Sequence, residues 1–157
     1  MAADTPASRL IAARERTGLS PDAVAHGVGL TVAAYADLEA YPNDLFMCIS
    51  LADLQALGEI LQIAPAELFG AAQSSAGPDI PFSEVVQRLN ALRAAGKASV
   101  EELSTQIGYD LRDVLVDPSE LWKFNIDGLR AVCKAVNLEW LAVLPSRPLS
   151  HGPATAT

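Results

Sequence analysis

The sequence lacks several features that whole classes of function require. It has two histidines and two cysteines, and no CxxC or Cys/His cluster has the spacing of a zinc site. It contains no Ser/His/Asp grouping and no glycine-rich phosphate loop. No apolar run reaches the length of a membrane span, and the first residues lack the basic and apolar regions of a secretion signal. We therefore predict a soluble, cytoplasmic protein that is not an enzyme and that uses no cofactor and no metal.

The two cysteines are isolated from each other in the sequence. A disulfide between Cys48 and Cys133 is allowed by their number alone. We expect two buried free thiols instead.

Positive charge is scarce as well, and it is unevenly distributed. The chain carries 19 acidic and 11 basic residues, which gives a net charge of −8. No lysine or arginine occurs between Arg16 and Arg88, whereas nine acidic residues do: Asp22, Asp37, Glu39, Asp44, Asp53, Glu59, Glu67, Asp79 and Glu84. Binding to nucleic acid depends on cations that neutralise phosphates. DNA as a partner is therefore disfavoured by charge, although this alone does not exclude it.

What the sequence does contain is a helical pattern. Half of the residues are apolar, and alanine and leucine are abundant, which favours helix. Gly18 ends one amphipathic segment, and Ser20 can cap the next, with Pro21 tolerated at its first position. Gly29 then suits a sharp turn before a third helix capped by Thr31. Two short helices joined by a glycine-containing turn are typical of a helix-turn-helix.

A set of short segments carries a resemblance to a known family. The segments are Arg9–Thr17, Gly18-Leu19-Ser20, Gly29-Leu30-Thr31, Leu38-Glu39 and the apolar ladder from Leu51 to Phe69. Over about sixty residues they resemble the five-helix Xre/Cro domain of the lambda-repressor-like superfamily. In that family the third helix enters the major groove of DNA and its early residues contact bases. The resemblance therefore implies a helix-turn-helix protein of transcription regulation.

The second half of the chain repeats the pattern of the first. Ser20 and Gly29 match Ser99 and Gly108 at one offset. A second offset aligns a ladder of apolar pairs: Leu51 with Ile126, Leu54 with Leu129, Leu57 with Val132, Leu61 with Val136, Ile63 with Leu138 and Leu68 with Val143. We therefore predict an all-α fold of two tandem, divergent lambda-repressor-like helix-turn-helix domains, with the helices of the second at roughly 83–95, 100–107, 110–116, 126–136 and 139–144.

The repeat and the composition together predict the domain boundaries. The segment 71–81, rich in Gly, Ala, Ser and Pro, is typical of a linker, and 146–157 of a mobile tail. These place the Xre-like domains at 5–70 and 82–145. The alternative is a single all-helical domain whose helices share leucine-rich patterning.

The predicted third helix has few side chains suited to reading bases. Between Thr31 and Asp37 the sequence is mainly alanine and valine, and Thr31 would be occupied as a helix cap. The remaining cations could contact phosphates, which position a protein on DNA without specifying a sequence. Our candidates for DNA contact are Arg9, Arg14, Arg16, Thr31 and Arg112. The alternative is that the arginines are solvated surface charges.

Two segments are unusually apolar for loops. Exposed apolar patches and aromatic side chains mark protein interfaces. The candidates for protein contact are Tyr41, Leu45, Phe46, Met47, Trp122 and Phe124. The alternative is that the first loop completes the core and that Trp122 packs against the first helix of its own half.

Two functional hypotheses follow. The first is a regulatory protein that keeps a repressor-like scaffold and acts mainly through protein–protein contacts, with a partner protein or by self-association. Its degenerate, acidic reading face could even imitate DNA for a basic partner. The second is a sequence-specific DNA-binding transcriptional regulator of the Xre/Cro type.

Overall fold

Helices form all of the regular secondary structure in the computed structural model, which describes residues 4–71 and 79–144. The predicted all-α class is therefore confirmed for these residues. Within the same ranges, no helix is both long enough and apolar enough to cross a membrane. The predicted tail, and residues 72–78 of the predicted linker, lie outside the described residues.

The first half contains six helices among its described residues, and their ends follow local signals. Thr5, Ser20, Thr31 and Ser50 each accept a hydrogen bond from a backbone N–H of the first turn that they cap. Gly29 ends the second helix with φ +82°, a conformation that favours glycine. The helices are α1 (Pro6–Thr17), α2 (Pro21–Val28), α3 (Val32–Ala40), α4 (Asp44–Met47), α5 (Leu51–Leu61) and α6 (Pro65–Leu68).

The second half has a similar order of elements with shorter late helices. Ser99 caps its second helix, which ends at Gly108 with φ +85°. We expected helices near 110–116 and 139–144, but the first begins at Arg112 and the second is a 3-10 turn. The elements are α7 (Phe82–Gly96), α8 (Val100–Ile107), α9 (Arg112–Val116), a 3-10 helix (Pro118–Lys123), α10 (Ile126–Ala135) and a 3-10 turn (Trp140–Ala142).

The helices of each half pack in the same pairs. In the first half, α1 packs on α3 and α5, and α2 packs on the same two helices. In the second half, α7 packs on α9 and α10, and so does α8. The order of packing in residues 82–144 therefore follows that in residues 6–68.

The two halves share a continuous hydrophobic core. Helix α4 packs on α10, and the 3-10 helix Pro118–Lys123 packs on α5. The Leu51 N–H donates to the Phe124 carbonyl at 2.7 Å. The Asn125 side chain donates to the Met47 carbonyl at 3.0 Å and accepts from the Gly128 N–H at 2.8 Å. Asn125 thus caps α10 and joins the two halves. The two apolar loop segments that contain our candidates for protein contact form this contact region between the halves, which we call the seam.

The cysteines divide between core and surface. Both are free, and Cys133 is buried as expected, but Cys48 is exposed. The expectation of two buried thiols is therefore wrong for Cys48, because α4 turns this residue outward while Leu45 fills the core.

Candidate interaction surfaces

Arg14 is paired within the protein. Its Nε donates to Glu39 Oε1 at 2.6 Å and its Nη2 to Oε2 at 3.2 Å, a bidentate arrangement that joins α1 to α3. A third bond runs from Nη1 to the Leu19 carbonyl at 3.2 Å. Both charged side chains are only 15% exposed. Glu39 raises the pKa of the Arg14 guanidinium through this pairing. A phosphate would have to displace the carboxylate to reach it.

Tyr35 lies beneath this ion pair and is fully buried. Within the described part of the chain its hydroxyl makes no hydrogen bond of ordinary geometry, although Glu39 and Arg14 lie close enough to influence its pKa. Burial raises the pKa of this phenol, and the Glu39 carboxylate raises it further. Tyr35 therefore stays neutral and serves as core, which fixes the inner face of α3.

The other two candidate arginines of α1 bond to the ends of nearby helices. Arg9 donates to the Leu68 carbonyl at 3.1 Å and pairs with Asp4 at 2.7 Å. Arg16 donates to the carbonyls of Leu61 and Gln62, each at 3.3 Å. Cations are favourable at helix C-termini, where carbonyls lack partners within the helix. These contacts give both arginines a structural role at the ends of α5 and α6.

The outward face of α3 is small and apolar. Val32 is about half exposed, and alanines occupy most of the remaining outward positions up to Asp37. The Thr31 hydroxyl oxygen accepts from the Ala34 N–H at 3.1 Å, so its acceptor is engaged as a cap. The outward residues of α3, all of which lie in the described part of the chain, therefore offer no side-chain hydrogen-bond donor that could match a base edge.

Arg112 is a candidate that the structure leaves largely open to solvent. Its side chain is 69% exposed and forms an ion pair with the Asp110 carboxylate, in which Nε donates to Oδ1 at 3.0 Å. Asp110 also accepts from the Arg112 N–H at 3.0 Å. These bonds lower the pKa of Asp110 to about 2. An open cleft of about 510 Å³ adjoins the pair, lined also by Glu101 and Tyr109. The neighbouring carboxylate weakens this arginine as a phosphate ligand.

The first set of candidate contact residues divides into core and surface. Leu45 is fully buried. The Phe46 ring packs edge-on against Phe69 with centroids 5.0 Å apart, and Trp140 lies 5.4 Å from Phe69. The Arg130 guanidinium covers this aromatic cluster, 5.5 Å from the Phe46 centroid and 5.7 Å from that of Trp140. Leu45 and Phe46 therefore contribute to the seam between the halves, a role that sequence spacing did not reveal.

The second set also packs within the protein. Trp122 lies 4.8 Å from the Phe82 ring at the start of α7, as the alternative interpretation predicted. Phe124 stacks on Tyr109 with centroids 5.6 Å apart. A Cβ added at Gly128 would lie 3.0 Å from an atom of each ring, so a larger residue there would require the two rings to shift by a few tenths of an ångström. Both aromatic candidates of the second half are half-buried at packed positions.

Tyr41 and Met47 remain at the surface. They are 57% and 58% exposed, on either side of the turn between α3 and α4. Cys48 follows on the same surface, and partial burial raises its thiol pKa, with the Asp44 and Asp37 carboxylates raising it further. We call these five residues the α3–α4 patch: Asp37, Tyr41, Asp44, Met47 and Cys48. Sequence reasoning found its two apolar members but missed the acidic ones beside them, although both stand within four residues of Tyr41.

Other chemistry finds little support among the described residues. No group of three or more His, Cys, Asp or Glu side chains in residues 4–71 and 79–144 is placed to hold a metal ion. His26 is exposed on α2, and burial raises the pKa of the Cys133 thiol to about 12.

Comparisons with known proteins found no relative of this chain. A scan against protein-family models gave no match. Searches of curated proteins and of solved structures gave none either. The resemblance to the Xre/Cro family therefore depends on the residues of this chain alone.

Proposed function

We propose that the chain consists of two tandem, divergent repressor-like helix-turn-helix units. Two features support this. Each half has short second and third helices joined through a left-handed glycine, Gly29 in one and Gly108 in the other. The helices of each half also pack in the same pairs, with the first and second helices both on the third and on the long helix after it.

We infer further that this protein acts in regulation through protein contacts, and that it does not act as an enzyme or as a reader of DNA sequence. The outward face of α3 carries the proposal: it presents Val32, alanines and Asp37 where a reader would need donors for base edges. The arginines of α1 give the proposal a second support, because their donors are engaged by Glu39, Asp4 and backbone carbonyls.

The inferred function also agrees with the charge of the structure. From Ser20 to Cys48 the chain carries four carboxylates and no lysine or arginine. Its counterpart in the repeat, Ser99 to Lys123, carries six carboxylates and two cations, Arg112 and Lys123, and each cation is already paired with a carboxylate. Each unit would therefore present a negative surface to the phosphates of a duplex.

The test is a DNA-binding titration on the full chain. Fluorescence anisotropy is measured with pools of labelled duplexes at low salt, and salt is then raised. We expect no sequence-selective binding and no steep salt dependence. A variant with A33R and D37K, which places two cations on the outward face of α3, checks that the assay detects gained affinity. Selective binding by the unmodified chain with a steep salt slope would overturn the proposal in favour of a DNA-binding regulator of the Xre/Cro type.

A further inference from the structure

The α3–α4 patch combines two exposed apolar side chains with an acidic surround. The Asp44 N–H donates to the Tyr41 carbonyl at 3.1 Å, and the Cys48 N–H to the Asp44 carbonyl at 2.8 Å. These bonds hold the turn between α3 and α4 in one shape. Tyr41 and Met47 are thus large apolar groups presented on an ordered surface.

Among the described residues, neither Asp37 nor Asp44 forms an ion pair with a cation. The last turn of α3 contains no basic residue, although the carbonyl end of a helix favours a cation. It carries Asp37 instead, and Asp44 follows in the first turn of α4. Burial raises the pKa of the Cys48 thiol, and the Asp44 and Asp37 carboxylates, which lie near it, raise it further. Glu39, also in the last turn of α3, is neutralised by Arg14.

We propose that the α3–α4 patch docks a basic amphipathic helix of a partner protein. This inference rests on the proposed function of acting through protein contacts. Apolar side chains of the partner helix lie on Tyr41 and Met47, and its lysines or arginines face Asp37, Asp44 and the C-terminus of α3. Helices that place an apolar face on a partner surface are a recurring mode of peptide recognition, and charge complementarity at the edge of the contact sets orientation.

Charge separates this occupant from the alternatives. A second copy of the chain would bring another acidic patch against this one, at a net charge of −8 on each chain. A nucleic acid would bring phosphates against Asp37 and Asp44. The Cys48 thiol stays neutral at pH 7, since its pKa is raised, and it contributes contact surface without adding negative charge.

The first experiment uses a synthetic helical peptide of 18 residues, with leucines on one face and arginines on the other, labelled with a fluorophore. The patch is altered in two variants of the full chain, D37N/D44N and Y41S/M47S. The matched control is D113N/V116S, which removes an exposed carboxylate and an 86% exposed valine from α9 in the other half. Circular dichroism melts establish that all variants are folded.

We expect each patch variant to bind the peptide at least tenfold more weakly than the unmodified chain, and the control variant to bind it less than twofold more weakly. A second readout is the rate at which a maleimide labels Cys48, which saturating peptide should slow by at least fivefold. A peptide with glutamates in place of the arginines should not compete.

The outcomes are distinct. No binding of the basic peptide, an equal loss in the control variant, or equal binding of the glutamate peptide would each overturn the docking site. Sedimentation that shows dimers of the unmodified chain, lost in Y41S/M47S, would assign the patch to a second copy and overturn it as well. None of these results measures DNA binding. The proposed function is tested separately, by the DNA titration described above.

Discussion

Replacement of Arg14 by alanine tests whether this arginine stabilises the fold or serves an external ligand. The change removes both bonds to Glu39, at 2.6 and 3.2 Å, and leaves the carboxylate covered without its cation. Exposed ion pairs contribute about 0–1 kcal/mol, whereas loss of one partner from a deeply buried pair costs about 3–5 kcal/mol. Arg14 and Glu39 are covered by neighbouring atoms but lie near the surface, between these two limits. We expect a loss of about 2 kcal/mol in the free energy of unfolding.

The measurement is urea and thermal unfolding followed by circular dichroism. For a chain of 157 residues, a loss of about 2 kcal/mol lowers Tm by about 4–8 °C. The matched control is R112A, which removes the same residue type from an ion pair that is open to solvent, and it should leave Tm unchanged. A cycle of R14A, E39A and the double variant should give a coupling energy of about 1 kcal/mol or more, because the two side chains are in direct contact.

Two results would refute this reasoning. R14A could unfold at the same Tm as the unmodified chain. Alternatively, the decreases in the free energy of unfolding of R14A and E39A could add up to the decrease in the double variant. Either outcome would mean that the Arg14–Glu39 pair contributes nothing measurable, and Arg14 would return to the set of candidate ligands for phosphate.

Three further predictions concern buried and titratable groups. Gln55 is buried, and neither polar atom of its side chain has a hydrogen-bond partner among the described residues, so Gln55→Met should raise the free energy of unfolding by about 1–2 kcal/mol in urea titrations; a decrease of similar size would show that Gln55 has a partner. Ellman's reagent at pH 8 should react with Cys48 in the native protein, slowly because its thiol pKa is raised, and with Cys133 only after unfolding; reaction of two thiols in the native protein would contradict the burial of Cys133. The Asp110 carboxyl, with its pKa lowered to about 2, should keep its interaction with Arg112 above pH 3.8 and lose it as pH falls through about 2. An NMR titration of the carboxyl carbon should therefore show a midpoint that rises toward 3.8 in R112A, and an unchanged midpoint would mean that Arg112 is not the cause.

The helix boundaries were largely predictable because the signals that set them are local. A cap such as Ser20 or Thr31 bonds to an N–H three residues later, and a left-handed glycine such as Gly29 ends a helix by its own backbone freedom. The predictions were less accurate in the second half, where the residues Leu111 and Glu139 that precede two of the helices make no side-chain cap. The helix expected to begin at 110 starts two residues later, and the one expected at 139–144 reduces to a single 3-10 turn at Trp140.

The roles of individual surface residues were much less predictable. Phe46 resembled an exposed contact residue because its neighbours in sequence form a loop, yet Phe69, Trp140 and Arg130 surround it. Leu45 was placed in the same loop and is fully buried. Met47, two residues later, is exposed. The apolar character of a loop predicts that some of its side chains are buried, but it does not predict which ones or which residues they pack against.

The sequence by itself determined the helical class of the described residues, most of their helix ends and the shortage of cations between Arg16 and Arg88. These depend on composition and on groups a few residues apart. Only the tertiary structure decided that Arg14 faces Glu39, 25 residues along the chain, and that each half completes the core of the other. Such outcomes depend on which distant helices pack together, and each side chain's exposure and charge partner follow from that packing.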